Sequence, residues 1–247
     1  MKIISHRGAN RKAPQNTIPA FQISAQMQPD GFETDVHETA DGELVICHNY
    51  TVDETSSGTG KISEMTLAEL KRLDFGAYFG MDFIGTKIPT LDEFLEFVKS
   101  TDVEIINLEL KPPKKDEKGL VQKTLDAVKR HGLTDKLLIS SFDRRVLLET
   151  KRLDSSVKTA YLWPTNEKIP GQRKIPTLKM IKTSGVDFVH PITVLVNRAF
   201  VSLMHSLGIK VNVWTVNSAI DVKRLMLDGV DGIITDMPDR VKKIINR

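Results

Sequence analysis

This chain reads as an α/β protein closed into a (β/α)8 TIM barrel, and three observations predict it. Strand-like runs alternate with helix-like runs from one end to the other. Eight such pairs can be counted, which is the number a closed barrel needs. The length of 247 residues suits one α/β barrel folded as a single unit. An open doubly wound sheet is the alternative, distinguished from the barrel by a strand more or less.

The elements follow in order. Strand one is Ile3 to His6, and the helical stretch Thr17 to Met27 comes after it. Strand two is Phe32 to Val36. Roughly sixty residues then separate Gly42 from the third barrel strand, far more than one helix needs. They hold an extra strand (Leu44 to Cys47), a small-residue loop (Thr55 to Lys61) and two short helices opened by capping-box patterns, Thr66 with Glu69 and Thr90 with Glu93. We read this as a small subdomain inserted after strand two, at about residues 43–90 of a single 1–247 domain, walling one side of the barrel mouth. The loop lacks Walker spacing and a strand leading straight into a helix, so nucleotide binding is not expected.

Barrel strand three spans Val103 to Leu110, and the helix Leu120 to His131 follows. Next come Leu137 to Ser141 with Arg144 to Leu153, Val157 to Leu162 with Leu178 to Thr183, and Phe188 to His190 with Arg198 to Leu207. In the last of these helices Phe200, Leu203, Met204 and Leu207 show the i, i+3, i+4, i+7 spacing of a helix packed on one face. Strand Lys210 to Thr215 precedes a helix with a Ser218/Asp221 capping box ending near Gly229, and Gly232 to Thr235 is the final strand.

Composition removes several function classes. A formal net charge of +3, with cations scattered among acids, gives no nucleic-acid footprint. No apolar run reaches the 18 or so residues that span a bilayer, and the short start Met1 to Ile4 has no signal-peptide pattern. Cys47 is the only cysteine, so no internal disulfide forms and a cytoplasmic setting is expected. Its neighbour His48 invites a nucleophile reading, but strand alternation turns the two side chains to opposite faces and leaves Cys47 as core. The run Lys111 to Lys118 past its first residue reads as a solvated loop.

In such a barrel the functional groups lie at the C-terminal ends of the strands. His6 and Arg7 end strand one, Glu33 and Asp35 end strand two, Glu109 and Lys111 end strand three, and His48 ends the extra strand. Residues two apart share a strand face, and several charges on one face are expensive to bury without a compensating ion. A single pair, such as Glu109 with Lys111, would be a salt bridge. Three carboxylates on neighbouring strands without a thiolate suit one hard divalent cation, Mg2+ or Ca2+, with Mn2+ also compatible. Arg7 and Lys111 add positive charge for a phosphate, and His6 and His48 are the candidates to take and return a proton. This is the pattern of a metal-dependent phosphodiesterase. Trp214 shares a strand face with Asn212 and either walls the substrate pocket or fills the barrel. His37 is a candidate for supporting the site, and His190 either faces the pocket or is structural. His131 caps a helix, and His205 lies near an apolar helical stripe.

These segments resemble the glycerophosphodiester phosphodiesterase family. The motifs are H-R-G (His6 to Gly8), P-Q-N-T (Pro14 to Thr17), E-T-D-V (Glu33 to Val36), H-N (His48, Asn49), N-L-E-L-K (Asn107 to Lys111), V-N-V-W-T-V-N (Val211 to Asn217) and G-I-I-T-D-M-P (Gly232 to Pro238). The resemblance implies hydrolysis of glycerophosphodiesters to sn-glycerol 3-phosphate and an alcohol. It assigns His6 and His48 as the acid/base pair, Glu33, Asp35 and Glu109 as divalent metal ligands, and Arg7, Lys111 and Trp214 as substrate contacts. It also implies a small-molecule substrate, a cytoplasmic monomer or dimer and no membrane insertion. Two positions depart from the pattern: Gln15 stands where glutamate is usual and Asn49 where aspartate is usual, each removing a negative charge at similar shape. Two other functions compete. One is action on lysophospholipids with the head-group alcohol leaving, against which stands the lack of an apolar entrance segment. The other is phosphodiester binding without turnover.

Overall fold

The computed structural model describes residues 1–113, 119–163 and 176–245. Its centre is a ring of parallel strands: β1 (Lys2–His6), β2 (Gly31–Glu38), β4 (Ile105–Leu110), β5 (Leu137–Ser141), β6 (Lys158–Leu162), β7 (Phe188–His190), β8 (Lys210–Val213) and β9 (Gly232–Thr235). Each pairs with the next, and β9 pairs with β1, so the eight-stranded barrel is closed. The remaining strand, β3 (Leu44–Ile46), runs antiparallel to the last residues of β2, with Val36 opposite Ile46. The strands are short β-branched runs buried on both faces, as parallel strands covered by helices must be.

The helices α1 (Ile18–Gln26), α3 (Leu91–Lys99), α4 (Leu120–Arg130), α5 (Arg144–Leu153), α6 (Leu178–Ser184), α7 (Arg198–Ser206), α8 (Ala219–Asp228) and α9 (Pro238–Ile245) follow the eight barrel strands in turn. Helix α1 starts where Thr17 caps the amide of Ala20 and Pro19 sits in its first turn. Its Phe21 stacks on Phe94 of α3 at 4.7 Å and on Phe32 of β2 at 5.7 Å, all three rings fully buried. Truncating such a ring costs about 3–5 kcal/mol. A second apolar cluster, including Val189, Val201, Met204, Val211 and Leu225, covers the other side of the ring.

Both expected capping boxes are formed, Thr66 with Glu69 at α2 (Leu67–Arg72) and Thr90 with Glu93 at α3. The one at Ser218 is not. Ser218 takes the N-cap position of α8 without a side-chain hydrogen bond, and the shorter Asp221 carboxylate faces Arg224 at 3.5 Å instead. Helix α3 packs on the barrel through Leu91, Phe94, Leu95 and Val98. The elements between it and β2 have a small core of their own: Val45, Cys47, Val52, Ile62, Leu70, Phe75 and Ile88. The small-residue loop Thr55 to Lys61 is tied back on its own base, with Val52 N donating to Gly60 O and Gly60 N to Asp53.

One loop in this region contradicts the sequence reading. Asp74 accepts the backbone N–H groups of Gly76, Ala77 and Gly85 at 2.7, 2.9 and 2.6 Å, pinning both ends of the segment between. Its tip turns apolar side chains outward, with Met81 85 % and Ile84 63 % exposed beside Tyr78 and Phe79. An exposed apolar segment therefore exists. Its apolar residues come in short groups between Gly76, Gly80 and Gly85, with no helical or strand period to mark them in the sequence. The charge run past Pro113 lies largely outside the described residues. Among those described, no helix is long and apolar enough to cross a membrane.

Candidate active site

The site is assembled at the C-terminal ends of β1, β2 and β4, starting from the β1 turn. Arg7 adopts φ +58° and Gly8 φ +76°, so the chain reverses sharply after His6. A Cβ at Gly8 would lie 2.7 Å from the Ala20 backbone, which leaves room for glycine alone. Arg7 N donates to Glu33 O and Asn16 N to Arg7 O, tying the turn to β2. Asn16, also left-handed at φ +58°, donates from Nδ2 to Asp35 at 2.8 Å and accepts from Thr34 Oγ1 at 2.8 Å. Both of these non-glycine residues in a sparsely populated region face the same carboxylate, that of Asp35.

Parallel register sets Glu109 level with Asp35, and Glu33 is two residues back on the same face as Asp35. Ligand atoms of Glu33, Asp35 and Glu109 all lie within 4.8 Å of one another, and all three residues are buried. Lys111 reaches Asp35 Oδ1 at 3.1 Å and pairs with Glu109; Arg7 Nε is 3.4 Å from Asp35 Oδ2. Three carboxylates thus face two cations. Burial lifts Asp35, but Lys111, then His48 and Arg7, hold it well below the usual carboxylate range. Burial and the charge of Asp35 push Glu33 well above its usual value. Burial likewise raises Glu109 to about 7 despite Lys111. Glu33 Oε2, Asp35 Oδ1 and Glu109 Oε1 are buried without a hydrogen bond of good geometry. Converging hard oxygen donors, buried together and short of hydrogen bonds, fit a divalent cation.

The two histidines are supported differently. His6 Nδ1 lies 2.7 Å from Asp236 Oδ1, while its Nε2 points toward Glu33 Oε2 at 3.9 Å. Asp236 is itself fixed: Asn10 Nδ2 donates to Oδ1 at 2.6 Å, Asn217 Nδ2 to Oδ2 at 2.7 Å, and Arg11 is 3.3 Å away. Burial raises the Asp236 carboxyl, but His6, Asn10 and Asn217 together hold it well below its usual range. Burial, aided by Arg7, lowers His6. His48 Nδ1 instead meets Asn49 Oδ1 at 2.6 Å, and Asn49 Nδ2 donates to Glu54 Oε2 at 2.8 Å. Burial lowers His48 to about 3. In both rings a fixed acceptor holds the proton on Nδ1 and leaves Nε2 free to act.

The other sequence candidates divide. Trp214 is half-buried, donates from Nε1 to His190 O at 2.7 Å and meets Phe142 edge-on at 5.6 Å. Phe142 lies under Lys111, 5.8 Å from Nζ, so Trp214 is connected to the charged cluster through a second aromatic. His190 is wholly enclosed, its Nε2 3.1 Å from Asn212 Nδ2, and burial lowers it to about 3. His37 is buried with Nε2 3.3 Å from His48 O and packs edge-on against Tyr50, bracing the loop that carries His48. Cys47 is a core residue whose thiol burial pushes up to about 11. His131 ends α4 and contacts Asp92 at 2.8 Å, and His205 contacts Asp231 at 2.8 Å; neither is near the cluster. Gln15 accepts from Arg7 Nη1 at 2.7 Å and lies against the Tyr78 hydroxyl, which links the apolar loop to the site.

Asp236, Asn217, Asn10, Asn16 and Phe142 were not singled out from sequence. The strand-end rule already used for the first three barrel strands finds Asp236 and Phe142 when carried to β9 and β5. Asn16 and Asn10 are found only through backbone geometry and barrel closure.

The chain is similar to several known phosphodiesterases. A model of the glycerophosphoryl diester phosphodiesterase family matches residues 6–240. A glycerophosphodiester phosphodiesterase of Caldanaerobacter subterraneus is 34 % identical over 245 residues, covering 99 % of this chain and 98 % of that protein. A glycerophosphodiester phosphodiesterase of Bacillus subtilis is 30 % identical over 256 residues, covering 98 % of this chain and 85 % of that one. Among solved structures, an Oleispira antarctica phosphodiesterase in complex with the product sn-glycerol-3-phosphate superposes with a TM-score of 0.90 at 28 % identity, covering 100 % of this chain and 97 % of that one.

Proposed function

This chain belongs to the glycerophosphoryl diester phosphodiesterase family, and on that premise we propose that it hydrolyses glycerophosphodiesters, such as glycerophosphocholine and glycerophosphoethanolamine, to sn-glycerol 3-phosphate and the head-group alcohol. The observation that carries this reading is the buried convergence of Glu33, Asp35 and Glu109 with Arg7, Lys111 and two Nδ1-anchored histidines. Glu33, Asp35 and Glu109 would hold one divalent cation, Mg2+ or Ca2+, with Mn2+ also suited, supplying Lewis-acid stabilisation of charge on the phosphoryl oxygens.

The remaining work falls to the chain's own groups. Arg7 and Lys111 balance the negative charge of the diester, Arg7 with a planar fork and Lys111 as a point charge. His6 and His48 share the proton transfers, one Nε2 taking the proton of the attacking hydroxyl and the other delivering one to the leaving alkoxide. Each transfer supplies roughly 10²- to 10⁴-fold. Trp214 and Phe142 form an apolar wall beside the phosphate end. The attacking oxygen is the glycerol hydroxyl next to the ester, already positioned by the substrate; it displaces the head-group alcohol to give a cyclic glycerol phosphate, which water then opens to glycerol 3-phosphate with the two histidines exchanging roles. Rapid-quench sampling detects that cyclic ester; its absence assigns the attack to water.

A coupled assay for glycerol 3-phosphate tests the function, with glycerophosphocholine as substrate and Mg2+ or Ca2+ present. Turnover that EDTA abolishes and either metal restores is expected, and His6→Ala and His48→Ala should each lose at least about a hundredfold while staying folded. Metal-independent turnover, or near-normal rates in either variant, would overturn the assignment. A second reading, favoured by the exposed Met81 and Ile84 on the loop whose Tyr78 meets Gln15, is action on lysophospholipids with the same chemistry. Micellar lysophosphatidylcholine separates the two: choline release that Met81→Ser weakens supports it, and no release rules it out.

A further inference from the structure

Glu54 is an exposed residue in the loop after His48, two links removed from the reacting centre. Its carboxylate accepts from Asn49 Nδ2 at 2.8 Å, and Asn49 Oδ1 faces His48 Nδ1 at 2.6 Å. The other charges of this loop are engaged elsewhere: Asp53 takes the Gly60 amide and Lys61 pairs with Glu64. An asparagine amide can present either its oxygen or its NH2 to an imidazole, and the two orientations select opposite ring tautomers. A carboxylate behind it removes that freedom, because it can only accept. The NH2 must then point to Glu54, the oxygen must point to His48, and the proton of His48 must sit on Nδ1. The carboxylate also polarises the amide along the chain of hydrogen bonds.

We propose that Glu54 is a positioning residue for His48, acting through Asn49 to fix the imidazole with Nε2 unprotonated and turned to the substrate. Asn49 with Glu54 stands in for a directly bonded carboxylate, one residue farther out. The proposal rests on the catalytic reading of His48 given above, and its test is built to fail separately from that reading.

The measurement is steady-state kinetics of the metal-loaded enzyme with glycerophosphocholine for four variants, with thermal unfolding as the check on folding. Glu54→Ala removes the acceptor and should lower kcat about two- to tenfold at unchanged KM, the range expected for one hydrogen bond. Asn49→Asp alone should also lower kcat, since it sets two carboxylates against each other at the distance now spanned by a hydrogen bond. Asn49→Asp combined with Glu54→Gln should restore kcat to within about twofold of the parent, because the introduced amide can donate to the introduced carboxylate and that carboxylate can accept from His48. Glu54→Gln alone falls between the parent and Glu54→Ala. Parental kcat in Glu54→Ala, or a double variant no better than the product of its singles, overturns the proposal. Imidazole 15N chemical shifts give the independent arm: His48 should be the Nδ1–H tautomer in the parent and a mixture in Glu54→Ala. An unchanged tautomer overturns the proposal whatever the enzyme turns over, whereas a parent protein inactive on every glycerophosphodiester with the tautomer shift intact refutes only the substrate reading.

Discussion

The two histidine arms of the site solve one problem with different materials. His6 leans on a carboxylate, Asp236, whose two oxygens are held by Asn10, Asn217 and Arg11 at the rim of the barrel. His48 leans on a neutral amide whose own partner is an exposed carboxylate on a loop outside the barrel. The first arm joins the ends of β1 and β9, neighbours in the closed ring although 230 residues apart in sequence. The second is local: Asn49 adjoins His48, and Glu54 lies five residues beyond Asn49. Support carried by the barrel is charged, multiply bonded and stiff. Support carried by the loop is neutral and held by single bonds. In the proposed proton transfers both rings pass through the imidazolium, but only the His6 ring does so against a directly bonded carboxylate.

Three substitutions sharpen the contrast. Asp236→Asn should be the most damaging: it preserves shape but can present NH2 to His6 and reverse its tautomer, so kcat should fall about a hundredfold or more in the glycerol 3-phosphate assay. A loss below about tenfold would mean that Asp236 does not orient His6. Asn217→Ala leaves Asp236 in place with one fewer donor, and about a two- to tenfold loss in kcat is expected. His37→Phe tests the other arm, since it removes the contact to the His48 carbonyl but keeps a ring against Tyr50; a drop of only a few fold is expected, without change in KM. If His37→Phe proved as harmful as Asp236→Asn, the distinction between a stiff and a yielding arm would fail.

The barrel was legible because its signals are local. Leu137–Ser141, Phe188–His190 and Gly232–Thr235 are short apolar or β-branched runs, and the bounds of these three strands agree with the sequence reading. Thr66 and Thr90 announced their helices through Glu69 and Glu93, side chains long enough to reach back to the cap. Ser218 failed the same test because Asp221 is one methylene shorter and Arg224 competes for it. In the site, the charges two apart at the ends of β2 and β4 were legible from alternation alone. Asp236 stood at a strand end inside a quoted motif, but its pairing with His6 was not legible, because barrel closure, a non-local event, brings the two together. Asn16 stood only as a letter of the P-Q-N-T motif, because its role lies in a positive φ that no side-chain pattern reveals.

The clamp at Asp74 has a consequence for how this surface can vary. A single carboxylate grips the amides at both ends of the segment, so the shape of the rim is encoded in its base, and the side chains at 81 and 84 are relieved of any part in folding. Such a tip is free to drift under selection for whatever lies just outside the mouth while the chemistry beneath it stays fixed.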